Sequence, residues 1–199
     1  AGRARMDRAG RAVLGLDGDG ALHPDAAAQD IRGVALAVAV QEGGKAAFDA
    51  AERHFRASRD AVLRSQLLSA MGSTQDPALN ARMRELAFED GLLRRNEMFP
   101  AVGGQAGEEA TRPALRAWID EHFDALEARL SPAGAAIVSL YAAGMCSDAE
   151  ADALEAKFAA RMADVEGGPR ELQQTVESIR MCAANVAARK GEPLAFPSH

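Results

Sequence analysis

Aromatic residues are scarce in this sequence, and segments in which polar and apolar residues alternate are almost absent. Its 199 residues include one Trp, one Tyr and seven Phe, or 5% of the chain. β-Sandwiches and barrels need aromatic and β-branched residues in their strands, whereas the alanine that is abundant here favours helices. The composition therefore disfavours a β fold and predicts an all-α protein.

Long apolar runs and an excess of positive charge are also missing. The longest apolar run, residues 34–40, is far shorter than the roughly 18 residues that cross a bilayer. The 23 Lys and Arg residues are outnumbered by 29 Asp and Glu residues, which gives a net charge of −6. This negative charge disfavours non-specific electrostatic binding to nucleic-acid phosphates. We therefore expect a soluble protein with neither a membrane nor a nucleic-acid partner, and we favour the cytoplasm as its compartment.

The cysteines and histidines form no recognisable catalytic or metal-binding motif. Cys146 and Cys182 lie far apart and lack a Cys-x-x-Cys pattern, so we expect buried free thiols rather than a zinc knuckle or a disulfide scaffold. The sequences His-Glu-x-x-His and Gly-x-Ser-x-Gly are both absent. We therefore expect no catalytic site, no metal and no cofactor in these 199 residues. The four histidines are His23, His54, His122 and His199.

Two glycine-rich stretches have features of ligand-binding loops but do not meet their requirements. The acidic pattern at residues 17–20 suggests a calcium loop, yet Ala28 stands at the twelfth position, where a bidentate Glu is required. Neither this stretch nor residues 103–107 carries the Lys-Ser/Thr pair of a phosphate-binding loop. We interpret the first as a turn before Pro24 and the second as a connecting loop.

Apolar residues recur at spacings of three and four along most of the chain, which predicts nine or ten helices. Asp76 and the Ser147/Glu150 pair are typical N-terminal caps, and Gly43 with Gly44 is typical of a helix end. The strongest stripe includes Trp118 and predicts a buried central helix. The predicted helices cover residues 24–41, 45–58, 60–72, 77–87, 92–101, 111–130, 132–141, 147–162 and 168–186.

Helices of this length with short connections predict an α-solenoid-like (HEAT/armadillo-like) array of antiparallel helical hairpins. We interpret residues 1–190 as one helical-repeat domain, in which residues 1–20 are the end of a preceding helix and a linker. Residues 191–199 are predicted to be a coil tail. Because the chain begins with Ala rather than Met, we expect it to be processed or cut from a longer polypeptide. Only three of its 23 basic residues are lysines, a bias that suggests a GC-rich bacterial genome.

Three segments resemble a known family in order and spacing. The pattern Arg-x-x-Gln-Gln-Thr-(aliphatic)-Glu-x-Ile at residues 170–179 resembles the closing helix of the C-terminal domain of zinc aminopeptidases. That family includes aminopeptidase N, the puromycin-sensitive enzyme and the endoplasmic-reticulum aminopeptidases. Residues 64–77 are similar to its Arg, Leu-x-Ala-(Met/Leu)-Gly and Asp-Pro turn, and residues 116–129 to its Trp-(aliphatic)-x-x-x-(Phe/Trp)-Asp-x-Leu helix.

The resemblance implies a bowl of HEAT-like hairpins whose concave side faces the zinc cleft of a separate catalytic domain. The His-Glu-x-x-His and Gly-x-Met-Glu-Asn motifs of that catalytic domain are absent from this chain. The chain would therefore be the accessory part of an enzyme that removes N-terminal residues from peptides, with zinc in the parent protein alone. Its partners would be the catalytic zinc domain and the peptide substrate.

Arginines near the predicted helix ends are the candidate contact residues. Arg64, Arg94 and Arg95 are candidates for contact with a peptide carboxylate or with the neighbouring domain. The alternative for each is that it only braces neighbouring helices. A second function also stays open, in which the chain is an independent helical-repeat module for protein–protein interaction.

Overall fold

A computed structural model describes residues 2–189, and the predicted coil tail at residues 191–199 lies outside them. Within residues 2–189 the chain forms helices and no strand, so the all-α prediction is confirmed. None of these helices is long and apolar enough to cross a membrane. The α-helices are α1 (Gly2–Val13), α2 (Gln29–Ala57), α3 (Ala61–Gly72), α4 (Pro77–Phe88), α5 (Met98–Gly107), α6 (Arg112–Leu130), α7 (Ile137–Tyr141), α8 (Asp148–Ala163) and α9 (Gly168–Ala188).

Side-chain caps fix several helix starts where the sequence predicts them. The Asp76 carboxylate accepts hydrogen bonds from the N–H groups of Ala78 and Leu79, at 2.8 and 3.2 Å, and Pro77 opens α4. At α8 the Ser147 hydroxyl accepts a hydrogen bond from the Glu150 N–H at 3.3 Å, as the predicted cap requires, and the Glu150 carboxylate accepts from the Cys146 N–H at 2.9 Å. These contacts satisfy N–H groups that have no partner inside the helix.

The chain forms two compact units, of which the first ends at Phe123 and the second begins at Asp124. In the first unit α1 packs on α2, α2 on α3, and both α3 and α4 on α5. This succession of neighbouring helices is the solenoid-like packing that the sequence predicts. Its fully buried side chains include Leu36, Phe48, Phe55, Leu67, Met71 and Met83. The single domain expected over residues 1–190 stays a prediction.

A sharp break divides α2 at Gly44. The backbone there has φ 52° and ψ −136°, in the left-handed half of dihedral space that glycine adopts without strain. The break separates residues 29–43 from residues 45–57. It lies where the sequence predicts a helix end, at Gly43 and Gly44. Pro24, in contrast, opens only a 3-10 turn (Pro24–Ala26) ahead of α2.

The loop predicted at residues 103–107 is wrong, because these residues are the second half of α5. Gly72 and Gly104 lie where α3 and α5 cross, and a Cβ on Gly104 would come within 2.6 Å of the Gly72 carbonyl oxygen. Glycine is therefore needed here for close backbone approach rather than for a turn. The short helix predicted over residues 92–101 is also displaced, since α5 begins at Met98.

In the second unit α8 and α9 form a helical hairpin, and α7 packs on α9. The expectation of buried free thiols is wrong, because Cys146 and Cys182 form a disulfide. Cys146 lies just before α8 and Cys182 on α9, with their Cα atoms 5.1 Å apart. The pairing depends on the packing of α8 against α9 and therefore has no signature in cysteine spacing. The buried side chains include Leu154, Phe158, Met162, Leu172, Val176 and Ile179.

Candidate functional site

Arg64 on α3 lies inside the first unit, where its side chain is only 8% exposed. Its guanidinium binds both carboxylate oxygens of Glu97, from Nε at 2.6 Å and from Nη2 at 2.9 Å. Three backbone carbonyls accept the remaining donors, those of Phe55, Ser58 and Leu92, at 3.0 to 3.2 Å. All five N–H donors of Arg64 are thus used within the protein.

The Arg64–Glu97 pair is held in its charged form. Hydrogen bonds from Arg64 keep the pKa of Glu97 below its usual range, although burial opposes the shift. The same hydrogen bonds raise the pKa of Arg64, again against burial. The Arg64 guanidinium also lies over the Phe55 ring, 4.0 Å from its centroid. Two-point pairing and a stacked ring make this a specific arginine position that lysine would not reproduce.

Of the two roles that the sequence leaves open for Arg64, these surroundings support bracing. Its guanidinium joins the α2–α3 turn, through Ser58, to the segment that follows α4, through Leu92 and Glu97. A peptide carboxylate would have to displace Glu97 in order to bind Arg64. Arg64 is therefore a positioning residue for whatever the two joined segments present to solvent.

Arg94 and Arg95, the other predicted contact residues, lie on that second segment and are exposed. The Arg94 N–H donates to Glu97 Oε2 at 2.9 Å, so the carboxylate that pairs with Arg64 also fixes this 3-10 turn (Arg95–Glu97). Among residues 2–189 neither the Arg94 nor the Arg95 side chain forms a salt bridge. Both guanidinium groups remain available to a ligand.

Arg59 is an exposed arginine that the sequence does not single out as a contact residue. It follows Ser58, whose carbonyl accepts from the same Arg64 guanidinium as the Leu92 carbonyl does. The two arginine-bearing segments are therefore neighbours. We call Arg59, Arg94 and Arg95 the arginine edge. Arg59 can be recognised only from the tertiary structure, since contacts such as the Arg64–Glu97 pair bring its turn close to Arg94 and Arg95.

Two other arginines in this region, Arg56 and Arg82, are neutralised by nearby carboxylates. Arg56 binds Glu89 with two donors, at 2.6 and 2.7 Å, and also contacts Glu52. Arg82 pairs with Asp49 and Glu52. This ladder of ion pairs joins the second half of α2 to α4 and to the residue after it. The arginine edge stands apart from the ladder because its cations have no such partners within residues 2–189.

The acidic residues of the 17–20 segment are engaged by side chains and N–H groups of α1 and of their own turn. Asp17 pairs with Arg11, and Asp19 accepts hydrogen bonds from the Ala21 N–H at 2.9 Å and from His23 at 2.8 Å. Within the part of the chain that the structure describes, no three His, Cys, Asp or Glu side chains are grouped so as to hold a metal ion. The turn interpretation of this segment agrees with these contacts.

Comparison with known proteins decides the family. A family model described as the ERAP1-like C-terminal domain matches residues 9–181, most of the chain. The chain belongs to this family. No curated protein matches it. The resemblance to the C-terminal domain of an aminopeptidase N-like enzyme is thereby confirmed, and the zinc of such an enzyme would lie in a separate catalytic domain.

The motifs that resemble the family combine buried packing residues with exposed polar residues of the ERAP1-like C-terminal domain. In the 170–179 motif Thr175, Val176 and Ile179 are buried on α9, whereas Arg170, Gln173, Gln174 and Glu177 are exposed. The 64–77 motif forms α3 and the cap of α4, and the 116–129 motif lies within α6. The buried positions of these patterns report the fold.

Proposed function

We propose that this ERAP1-like C-terminal domain is the accessory domain of a zinc aminopeptidase that removes N-terminal residues from peptides. In that role it encloses the substrate chamber and contacts the peptide away from the scissile bond. The observation that carries the proposal is the family match over residues 9–181. The arginine edge supplies exposed, unpaired cations that suit a contact with a carboxylate.

Zinc in the parent enzyme would polarise the scissile carbonyl and activate water. The described residues of this chain do not fit such a site, because they bring no three potential ligands together. Their contribution is binding and enclosure. Arg94 and Arg95 offer planar, permanently charged donors, and the buried Arg64–Glu97 pair holds their turn in place before a ligand arrives.

Two further features bear on the setting of the proposed enzyme. Disulfides persist in oxidising compartments and are rare in the cytosol. The Cys146–Cys182 bond therefore favours an oxidising compartment over the cytoplasm that the sequence alone suggested.

The second candidate function, an independent protein-interaction module, draws support from the solenoid-like succession of helices alone.

The test uses the full-length polypeptide. We expect chelator-sensitive release of N-terminal residues from peptides, with preference for a free C-terminal carboxylate over an amide of the same peptide. Arg94→Ala and Arg95→Ala should reduce that preference several-fold, while Arg5→Ala on α1, another exposed arginine, should leave it unchanged. A polypeptide with no aminopeptidase activity would overturn the proposal. Activity with no effect of either variant would overturn the role of the arginine edge.

A further inference from the structure

Arg84 on α4 is a half-buried cation that forms no salt bridge with any residue in the 2–189 range. Its Nη1 donates to the Gln105 side-chain oxygen at 2.7 Å. Burial lowers the pKa of the Arg84 guanidinium, and the charge of the adjacent Glu85 only partly offsets this. Arg56, Arg64 and Arg82 each have at least one carboxylate partner. Arg84 is therefore withdrawn from water without the counter-charge that usually compensates.

The position of the Arg84 guanidinium is fixed by its neighbour. Gln105 is completely buried, and its side-chain nitrogen donates to the Asn80 carbonyl at 3.2 Å. The Gln105 side-chain oxygen is thereby held towards Arg84. A cation held in one place loses little conformational freedom when a partner binds, which favours specific contact over a loose surface charge.

Three aromatic rings share this part of the surface. Phe88 lies one helical turn after Arg84, and its ring centroid is 5.4 Å from that of Trp118 and 5.2 Å from that of His122. The Trp118 and His122 centroids are 5.8 Å apart. All three residues are half-buried. His122 also interrupts α6, with φ −115° and ψ 16°.

Trp118 departs from the expectation for its stripe. Its stripe neighbours Leu115 and Ile119 are each 1% exposed, as a buried central helix requires, whereas Trp118 keeps part of its surface in contact with solvent. It is the only Trp in the chain. Trp and Arg are the residue types most enriched where protein interfaces bind most strongly.

We propose that Arg84, Phe88, Trp118 and His122 form a docking surface for an acidic side chain, flanked by an apolar residue, on the neighbouring domain of the same polypeptide. The carboxylate supplies the counter-charge that Arg84 lacks, and the apolar residue covers the rings. This inference rests on the proposed function, because the family to which the chain belongs is a C-terminal domain and so implies preceding domains. Charge complementarity favours an acidic partner over a neutral one.

A carbodiimide cross-link tests the surface directly. The Arg84→Lys variant of the full-length protein places a primary amine at this position. Carbodiimide activates a contacting carboxylate, the amine attacks it to form an amide, and the reagent leaves as a urea. We expect peptide mass spectrometry to find this cross-link to an Asp or Glu outside the 199 residues. The chain has only three lysines of its own, so background cross-links are few. Arg5→Lys, at an exposed site on α1, is the control.

Several outcomes would contradict the inference. These are no cross-link, a link to Glu85, a link between isotopically distinct copies, or a link only to the free C-terminal carboxylate of an added peptide. A second readout guards against a poorly placed lysine. Hydroxyl-radical oxidation of Trp118 should be several-fold faster in full-length Arg84→Gln than in full-length wild type, because loss of the charge contact uncovers the ring. Equal oxidation of Trp118 in both proteins would contradict the docking surface. Protection of Trp118 without aminopeptidase activity would keep the surface and overturn the proposed function.

Discussion

At the residue scale, three arginines that the sequence groups together have two different environments. Arg64 lies on the packed face of α3 with its five donors used internally, whereas Arg94 and Arg95 face solvent on the turn that Glu97 fixes. Because Arg64 is buried, its guanidinium serves to hold helices together. Because Arg94 and Arg95 are exposed, their guanidinium groups can contact a ligand. The difference follows from which carbonyls and carboxylates the folded chain brings to each guanidinium, so residue type alone does not reveal it.

Glu97→Gln should lower the free energy of unfolding by about 3 kcal/mol, because it leaves the buried Arg64 cation without its counter-charge. Urea unfolding followed by circular dichroism measures the change. Glu109→Gln, at an exposed position that shares no ion pair with residues 2–189, should change it by less than about 0.5 kcal/mol. Equal effects of the two substitutions would mean that the Arg64–Glu97 pair does not stabilise the first unit.

Lowering the pH should remove the stabilisation that Glu97 provides. Its pKa in the folded protein lies below the ordinary 4.5, so the ionised group favours folding above that value. The benefit is lost as the pH falls through the lower folded pKa. The stabilities of wild type and Glu97→Gln should therefore converge between about pH 5 and pH 3. A constant difference down to pH 3 would contradict the depressed pKa.

At the element scale, the crossing of α3 and α5 depends on two glycines. Gly72 and Gly104 allow the helix backbones to approach more closely than any side chain permits. A glycine-rich run inside α5 otherwise weakens the helix, since each glycine loses more conformational entropy on folding than alanine does. Close packing of the two helices offsets that cost only at the position that makes the contact.

Gly104→Ala should destabilise the protein by about 1 to 3 kcal/mol, because the new methyl group would overlap the Gly72 backbone. Gly103→Ala is the matched control, since a Cβ there meets nothing within 4 Å. It should stabilise α5 by up to about 1 kcal/mol. Thermal unfolding of the two variants measures both effects. A gain in stability from Gly104→Ala would show that α3 and α5 do not cross at this glycine.

The disulfide acts on the α8–α9 hairpin. It closes a separation of 36 residues between Cys146, just before α8, and Cys182, in the second half of α9. Loop-closure entropy for a loop of this size corresponds to about 3 to 4 kcal/mol. Reduction with excess dithiothreitol should lower the unfolding temperature of wild type. The double variant Cys146→Ser/Cys182→Ser should match reduced wild type and not respond to the reductant. An identical unfolding temperature for oxidised and reduced wild type would contradict the prediction.

At the scale of the whole molecule, local patterns predict the helices, while contacts between distant residues decide the candidate sites. Asp76 and Ser147 signal their helices because a cap acts within three residues of itself. Gly104 led to the wrong prediction of a loop, since glycine occurs both in turns and where helices pack closely. The Cys146–Cys182 bond and the half-buried Trp118 depend on partners elsewhere in the chain. The spacing of residues along the sequence does not reveal such partners.

The family could be predicted from the sequence because its motifs are local patterns. Its motifs include buried residues, such as Thr175, Val176 and Ile179, on packing faces where helical spacing and residue type are both constrained. Ligand-facing positions carry no such local constraint. The arginine edge accordingly needs the folded positions of the α2–α3 turn and of the segment after α4, which Arg64 joins through bonds to residues 6 to 33 positions away.

Peptide-length dependence in the full-length enzyme tests the central claim, that this domain encloses the substrate chamber. The measurement compares kcat/KM for a dipeptide amide and for a ten-residue peptide, in wild type and after deletion of residues 21–190. Folding of the remaining catalytic domain is checked by its zinc content. We expect the deletion to lower kcat/KM for the ten-residue peptide at least about tenfold more than for the dipeptide amide, a difference of about 1.4 kcal/mol. An unchanged ratio between the two substrates in a folded, zinc-loaded catalytic domain would contradict the account.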